Sequence, residues 1–292
     1  MKVCKTIGPL RKEIRQLRMA GNRIGFVPTM GALHKGHRSL IAQAKKDCDT
    51  VTVSIFVNPT QFAPNEDLDA YPRPVEKDLD CCRRDGVDLV FLPAFEDMYP
   101  ADATPAGGSL STVKVKGLSE KLCGRSRPVH FEGVATIVAK LLNIVAPDAA
   151  YFGWKDAQQA TIIKRMVRDL NFPVEIRCCP TVREPSGLAL SSRNTYLDPA
   201  RRQQAAVLAD AMNWAAGEIN AGRRKTGGLI AGIARRIRKA IGCRIEYIAV
   251  HDPDTLDDVD TITGPVRIAL AVHLAGVRLI DNLWVDIPRD KE

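Results

Sequence analysis

Two histidines separated by one lysine and one glycine carry the clearest chemical signal in this chain. His34 and His37 lie between an apolar run at residues 24–27 and a helical pattern at 39–44. A loop that leaves a strand and enters a helix presents backbone N–H groups and the positive end of the helix dipole to an anion. Gly36 lets the backbone come close to such a ligand, and each imidazole can donate a hydrogen bond to a departing pyrophosphate. The motif therefore predicts a polyphosphate site rather than two surface histidines in a turn.

Around this motif, the first part of the chain alternates short apolar runs with helical patterns. The runs predict strands at residues 24–27, 51–57, 89–92, 149–152 and 174–178, and the patterns predict helices at 39–46, 75–85, 134–145 and 157–170. Short apolar strands are typical of a parallel sheet that is buried on both faces. We therefore predict an α/β fold with a doubly wound, Rossmann-like parallel sheet, whose ligands bind beyond the carboxyl ends of the strands.

The pattern changes near Gly187, where we expect a domain boundary. Beyond it, the sequence predicts helices at 199–219 and 229–241 and three successive strands at 245–250, 266–272 and 277–285. Helices followed by a meander of strands indicate a second, smaller α+β domain. The expected domains are residues 1–187 and 188–292, and residues 101–111, which contain Gly107-Gly108, are expected to form a loop.

Polar segments follow four of the predicted strands, at residues 28–37, 58–62, 153–159, and 180–184 together with 190–194. Because the carboxyl ends of parallel strands meet at one edge of a sheet, we expect these segments to line one cleft. Lys155 offers a mobile positive charge for a polyphosphate. Asp156 can accept a hydrogen bond from ribose hydroxyls or cap the helix that follows it.

Two further groups of polar side chains suit a small substrate and its phosphates. Ser191, Ser192 and Arg193 supply hydroxyls and a guanidinium, and we interpret them as phosphate contacts because residues 196–199 offer a better helix start. Asn58 and Gln61 add neutral amides that can orient a hydroxyl or a carboxylate, although Asn58-Pro59 is also typical of a simple turn. No Gly-x-Gly-x-x-Gly follows the first predicted strand and no P-loop occurs, which disfavours dinucleotide oxidoreductases and P-loop kinases.

The amino-acid composition narrows the classes of function that remain. The net charge of +8 would suit nucleic acid or anionic small substrates, but the basic residues are scattered apart from residues 235–239, which we interpret as a solvated helix face. Aromatic residues make up only 5% of the chain, which leaves little material for base stacking. The eight cysteines form no C-x-x-C pair and are expected to be reduced thiols. The apolar runs are too short to span a bilayer and no signal peptide is recognised, so a cytoplasmic location is expected.

At this level of detail the chain resembles the pantoate–β-alanine ligases, or pantothenate synthetases, of the nucleotidyltransferase superfamily with an HxGH motif. The resemblance covers nearly the whole chain. The matching segments are residues 27–37, 54–62, 71–73, 130–134, 147–159, 180–185 and 191–194.

The resemblance implies an ATP-dependent condensation in two steps. Pantoate first reacts with ATP to form pantoyl adenylate and pyrophosphate, and the amine of β-alanine then displaces AMP to form pantothenate. It implies that His37 acts as proton donor, with His34 and Lys155 as further catalytic residues. The implied ATP-binding residues are Met30, Gly31, His34, Gly36, His37, Gly153, Trp154, Lys155, Asp156, Val182, Leu190, Ser191, Ser192 and Arg193.

The same resemblance places Gln61, Gln159, Asn58 and His130 at pantoate and β-alanine. It implies Mg²⁺ with ATP and a homodimer, with no nucleic acid and no membrane as partner. Lys77 and Cys81 interrupt a segment that is often acidic near the metal, which leaves Asp78 as the one contributor to a metal site.

We also expect a separate role for each domain. Residues 1–187 would bind nucleotide and pantoate. Residues 188–292 would close over ATP as a lid, with residues 181–194 as hinge and lid segment, because that loop bridges the two domains and carries Ser191–Arg193. Two alternative functions stay open: another HxGH nucleotidyltransferase, or an RNA-binding protein.

Overall fold

The computed structural model describes residues 1–64, 66–99 and 110–287. Residues 101–109 of the predicted loop lie outside these ranges. The strands are β1 (Lys2–Cys4), β2 (Ile24–Thr29), β3 (Thr50–Ile55), β4 (Leu89–Phe91), β5 (Ala149–Gly153), β6 (Glu175–Cys179), β7 (Cys243–His251), β8 (Val266–Leu274) and β9 (Val277–Val285). The α-helices are α1 (Ile7–Met19), α2 (Lys35–Asp47), α3 (Val75–Arg84), α4 (Phe95–Met98), α5 (Cys123–Ser126), α6 (His130–Val145), α7 (Ala157–Asp169), α8 (Pro199–Gln204), α9 (Val207–Asn220) and α10 (Thr226–Ile237).

The chain divides into two compact units. The first unit comprises Met1–Glu120, Gly124–Trp154 and Gln159–Pro180, and the second comprises Lys121–Cys123, Lys155–Gln158 and Thr181–Glu292. The long C-terminal segment of the second unit therefore begins at Thr181, before the boundary expected at Gly187. Arg183 explains this boundary, because it forms an antiparallel bridge with Ala189 and pairs its guanidinium with Asp281 of β9. These contacts tie the segment after β6 to the second unit.

A six-stranded parallel sheet, in the order β1-β4-β3-β2-β5-β6, forms the centre of the first unit. Successive residues of its strands enter different hydrophobic clusters: Phe26 packs with α1, α6 and α7, whereas Val27 packs with α2 and α3. Both faces of the sheet are therefore buried beneath helices, as the apolar strands require. The predicted doubly wound α/β class is confirmed.

The strand order reverses direction between β2 and β5. From β2 the chain continues outward through β3 to β4, and β5 then pairs with the other side of β2. In an open parallel sheet such a reversal leaves a crevice at the carboxyl ends of the two neighbouring strands. The loop with His34 follows β2 and Trp154 follows β5.

The second unit contains a three-stranded antiparallel sheet in the order β7-β8-β9. Leu229 and Ile233 of α10 and Leu208 and Met212 of α9 pack with apolar residues of that sheet. The second, smaller α+β domain is confirmed in its architecture. All three strands lie where the sequence predicted them: β7 and β8 are a few residues longer than predicted, and β9 has the predicted ends.

Several element boundaries differ from the sequence prediction. The short strand β1 and helix α1 were not predicted, because β1 is only three residues long and α1 buries only Leu10 and Ile14. The single helix expected at 199–219 is two helices, since the amide of Leu208 bonds to the carbonyl of Ala205 and tightens the chain into a turn.

Within the described ranges, no helix combines the length and apolar character needed to cross a bilayer.

Candidate active site

The two histidines of the motif build the N-terminus of α2. His34 is the N-cap residue, and its Nδ1 accepts a hydrogen bond from the backbone N–H of Gly36 at 3.1 Å. The Nδ1 of His37 accepts one from the backbone N–H of His34 at 3.3 Å. The side chains thereby satisfy backbone donors of the first turn, and their ring centroids lie 4.1 Å apart. The predicted loop-to-helix junction is confirmed.

These contacts decide where the imidazole protons are. A ring nitrogen that accepts a hydrogen bond carries no proton, so each neutral ring carries its proton on Nε2. Nε2 is thus the donor atom of both His34 and His37. Two imidazole donors at a helix N-terminus, where the dipole also favours negative charge, are well suited to a polyphosphate.

Gly36 has a steric role beside these rings. A Cβ built at Gly36 would lie 2.8 Å from Cε1 of His34 and 3.0 Å from its Nδ1. Any side chain there would push the His34 ring out of its capping position. The glycine is therefore required by the capping position of His34.

Asp78 of α3 holds the turn that leads into the motif. It is only 2% exposed, and its two carboxylate oxygens accept the backbone N–H groups of Ala32 and Leu33 at 2.8 and 2.7 Å. Burial raises the pKa of Asp78, and these two N–H groups act in the opposite direction. Ala32 has a left-handed φ of 50°, a conformation that costs about 1–2 kcal/mol in a non-glycine residue. The carboxylate offsets that cost and stabilises the turn.

The same geometry bears on the metal role predicted for Asp78. Both oxygens of its carboxylate already accept backbone N–H groups. Among the described residues, no group of three or more His, Cys, Asp or Glu side chains could hold a metal ion. The carboxylate of Asp78 therefore fits a role in holding the loop, and its metal role stays a prediction.

The predicted amides lie together beyond β3. Asn58 is 1% exposed, and its Nδ2 donates to Oε1 of Gln61 at 3.3 Å and to the carbonyl of Gly133 at 3.2 Å. The Nε2 of Gln61 lies 3.0 Å from Sδ of Met30. The structure thus brings Asn58, Gln61 and Met30 together.

Helix α6 packs closely on this amide pair. A Cβ at Gly133 would lie 2.6 Å from the carbonyl oxygen of Thr60 and 2.7 Å from Cα of Gln61, so only glycine allows this approach. The Nδ1 of His130, at the start of α6, lies 2.9 Å from the carbonyl oxygen of Gln61. Since a carbonyl only accepts, Nδ1 of His130 carries the proton, the opposite tautomer from His34 and His37.

A half-buried ion pair braces the same turn. Arg127 forms two hydrogen bonds with the carboxylate of Glu66 and donates to the carbonyl of Gln61 at 3.4 Å. Burial raises the pKa of Glu66, but the Arg127 guanidinium outweighs it and holds that pKa below its ordinary value. Neither residue was predicted, because a lone Arg and a lone Glu far apart in the sequence carry no local signal.

The predicted nucleotide residues of the second unit form their own arrangement. The ammonium of Lys155 pairs with Asp156 at 3.3 Å, and the backbone carbonyl of Lys155 accepts from Nδ2 of Asn282. The amide of Leu190 donates to the carbonyl of Val182 at 3.0 Å, which places these two predicted residues side by side.

The serines after Leu190 differ from their prediction in one respect. The hydroxyl of Ser191 accepts the backbone N–H of Arg193 at 3.3 Å and caps a short 3-10 helix, Ser192–Tyr196. The sequence interpretation disfavours a helix cap in this segment, and the structure corrects it for Ser191. The better start expected at 196–199 is also present, because Asp198 caps α8. Both caps occur, since each satisfies the backbone donors of its own helix.

Two adjacent glutamines at the start of α7 have separate surroundings. Gln158 is buried and bonds to the amide of Cys123 and the carbonyl of Lys121, all within the second unit. Gln159, the predicted pantoate contact, belongs to the first unit and is half-buried. Further along α7, the ammonium of Lys164 lies 5.9 Å from the ring centroid of Trp154.

Comparison with known proteins extends these observations. Residues 2–284 match the family model described as pantoate-beta-alanine ligase. Pantothenate synthetase from Moorella thermoacetica is 50% identical over 287 residues, which covers 98% of this chain and 99% of that protein.

Solved structures give the same result. A crystal structure of the pantothenate synthetase from Thermus thermophilus has a TM-score of 0.90 at 41% identity and covers 97% of this chain and 99% of its own. The pantoate-beta-alanine ligase from Francisella tularensis, complexed with beta-gamma ATP and beta-alanine, has a TM-score of 0.78 at 36% identity and covers 97% of both chains. The chain belongs to the pantoate–β-alanine ligase family.

Proposed function

We propose that this chain joins pantoate to β-alanine at the expense of ATP, through a pantoyl-adenylate intermediate. A carboxylate oxygen of pantoate attacks the α-phosphorus of ATP, and the bond to pyrophosphate breaks. The amine of β-alanine then attacks the acyl carbon, the bond to AMP breaks, and the amine gives up a proton. AMP is a good leaving group at neutral pH, so the protein needs no covalent nucleophile.

The observation that carries the first step is the paired Nε2 donors of His34 and His37 at the N-terminus of α2. Negative charge grows on the bridging oxygen as pyrophosphate leaves, and preorganised donors stabilise that charge. In this proposal His37 donates a proton to the leaving pyrophosphate, and His34 and Lys155 neutralise phosphate oxygens. The predicted ATP residues from Met30 to Arg193 surround the nucleotide.

Substrate recognition is proposed for the amides. Gln61 and Gln159 contact pantoate, Gln61 also contacts β-alanine, and Asn58 and His130 act from beside Gln61. Two buried or half-buried amides can hold hydroxyl and carboxylate oxygens without adding charge next to the reacting carboxylate.

Mg²⁺ enters the proposal as an ion held by ATP phosphates and water, which is its usual mode with nucleotides. Asp78 is assigned to the turn at Ala32. The chemistry that the ion supplies when bound is charge neutralisation on the phosphates, and no protein ligand is required for that.

The proposal includes three features of the whole protein. We infer a homodimer from the family resemblance, and we keep the expected cytoplasmic location and the expected lid role of residues 188–292. Light scattering over a range of concentrations tests the dimer, and cell fractionation tests the location. For the lid, ATP should change the rate of limited proteolysis at residues 181–194, and an unchanged rate contradicts closure.

The reaction itself is tested by omission. AMP release is measured with ATP, Mg²⁺, pantoate and β-alanine, and each component is left out in turn. We expect AMP only in the complete mixture, and pyrophosphate-to-ATP isotope exchange that needs pantoate but no β-alanine. Transfer of a nucleotide into a stable product would favour another nucleotidyltransferase, and salt-sensitive RNA binding without ATP turnover would favour an RNA-binding protein.

A further inference from the structure

A buried line of hydrogen bonds runs from Tyr99 through Asn58 to Gln61. We propose that Tyr99 is a positioning residue for pantoate: through Asn58 it fixes the direction of the Gln61 amide, so that Gln61 presents its NH₂ group to a substrate oxygen. This inference rests on the proposed function, because that function places Gln61 against pantoate.

The direction of the Asn58 amide follows from its neighbours. Its Nδ2 lies 3.2 Å from the carbonyl oxygen of Gly133, which can only accept a hydrogen bond. Turning the amide over would place two acceptors against each other in a buried position. Asn58 must therefore direct its NH₂ toward Gly133 and its oxygen to the opposite side.

Tyr99 and Thr60 hold that oxygen. The hydroxyl of Tyr99 donates to Oδ1 of Asn58 at 2.5 Å, and the hydroxyl of Thr60 donates to the same atom at 3.2 Å. Tyr99 is only 3% exposed, and burial raises the pKa of its phenol, which keeps the proton needed for donation. Its ring packs against Phe95, with centroids 4.8 Å apart, so the position of the hydroxyl is fixed by packing.

The orientation of the Asn58 amide in turn fixes the orientation of the Gln61 amide. Because Nδ2 of Asn58 donates to Oε1 of Gln61, the oxygen end of the Gln61 amide is occupied and its Nε2 is the donor. That Nε2 lies 3.0 Å from Sδ of Met30. A thioether is a weak acceptor, so a substrate oxygen can replace it at little cost.

A donor with a fixed direction gives selectivity. Gln61 is 8% exposed, and a pantoate analogue without the contacted oxygen would leave a buried N–H group unsatisfied. Sites that hydrogen-bond a substrate hydroxyl reject analogues that lack it for this reason. If Gln61 could rotate, its oxygen could face the substrate in part of the molecules and the selectivity would fall.

The test is Tyr99→Phe, which removes one hydroxyl from a buried ring. We expect the KM for pantoate to rise about fivefold, as for loss of one hydrogen bond, while the KM for ATP stays unchanged. Tyr151→Phe is the matched control, since it removes another buried hydroxyl of the first unit, one bonded to Asp47. We expect the control to leave the KM for pantoate at its wild-type value.

A double-mutant cycle separates positioning from general stability. In a Gln61→Ala background, Tyr99→Phe should cause no further rise in the KM for pantoate. The proposal is overturned if Tyr99→Phe leaves that KM within twofold of wild type, or if its effect is the same in both backgrounds. Thr60→Val, which removes the second donor to Asn58, replaces Tyr99→Phe in the same cycle if the tyrosine variant does not fold. A wild-type protein that releases no pantoate-dependent AMP refutes the proposed function itself.

Discussion

At His37, one ring nitrogen holds a helix terminus and the other is thereby made a donor. The backbone N–H of His34 bonds to Nδ1 of His37, which leaves the proton on Nε2. His130 shows the reverse case, because the carbonyl of Gln61 requires a proton on Nδ1. The backbone atoms beside each imidazole thus decide which ring nitrogen carries the proton.

Replacing the imidazole of His37 tests its catalytic role. We expect His37→Ala to slow pyrophosphate release with ATP and pantoate at least on the order of a hundredfold, because a preorganised donor to developing charge is lost. His273→Gln is the control, since His273 pairs with Glu246 in the second unit. A rate near wild type for His37→Ala would remove this residue from the mechanism.

In the proposed mechanism, Lys155 contributes charge and His37 contributes a directed proton. We expect Lys155→Ala also to reduce pyrophosphate release on the order of a hundredfold, and Lys155→Arg to restore only part of it, because a planar guanidinium does not replace a compact ammonium. Lys239→Ala, an exposed position just beyond α10, is the matched control. Full activity of Lys155→Ala would contradict its role at the phosphates.

Among the elements, α2 and α3 depend on each other at the turn after β2. The N–H groups of the left-handed residue Ala32 and of Leu33 donate to a carboxylate on a different helix. The donors of the motif can be preorganised only if this turn is rigid. We therefore expect Asp78 to affect catalysis through the geometry of the loop.

Exchange of the Asp78 carboxylate for an amide tests this link. In Asp78→Asn one backbone N–H of the turn faces an NH₂ group, and we expect about 1–3 kcal/mol lower stability and a tenfold or larger fall in kcat. The Mg²⁺ concentration for half-maximal activity should stay the same, whereas loss of a metal ligand would raise it. Asp80→Asn, an exposed change on the same helix, should alter none of the three quantities.

At the scale of the whole molecule, the two units have separate hydrophobic cores, and the predicted nucleotide residues come from both units. A titratable group in the second core affects stability with pH. His251 is 1% exposed, and burial lowers its pKa, with the positive charge of Arg267 acting in the same direction.

This buried histidine predicts a loss of stability in mild acid. Since the pKa of His251 is lower in the folded protein than in the unfolded chain, where it is about 6.5, protonation favours unfolding. Its contribution is complete above that value and is lost as pH falls through the folded pKa; Asp252 and Asp258 nearby act against the shift. We expect the free energy of unfolding in urea, followed by tryptophan fluorescence, to fall more between pH 7.5 and 5.0 for wild type than for His251→Asn. Equal losses would show that other groups cause the decline.

The sequence alone determined the alternation of strands and helices, the class of the sheet, and the loop-to-helix junction at His34. These features are encoded locally, by apolar period and by glycine and histidine a few positions apart, and short-range sterics and hydrogen bonds decide them. The resemblance of its motifs to those of the pantoate–β-alanine ligases indicated the reaction.

Only the tertiary structure decided which groups hold the candidate site in place. Asp78 reaches Ala32 and Tyr99 reaches Asn58 across long stretches of chain, and the segment after Pro180 joins the second unit through Arg183 and Asp281. A buried carboxylate or hydroxyl takes its role from the partners that folding brings to it, and no local pattern records those partners.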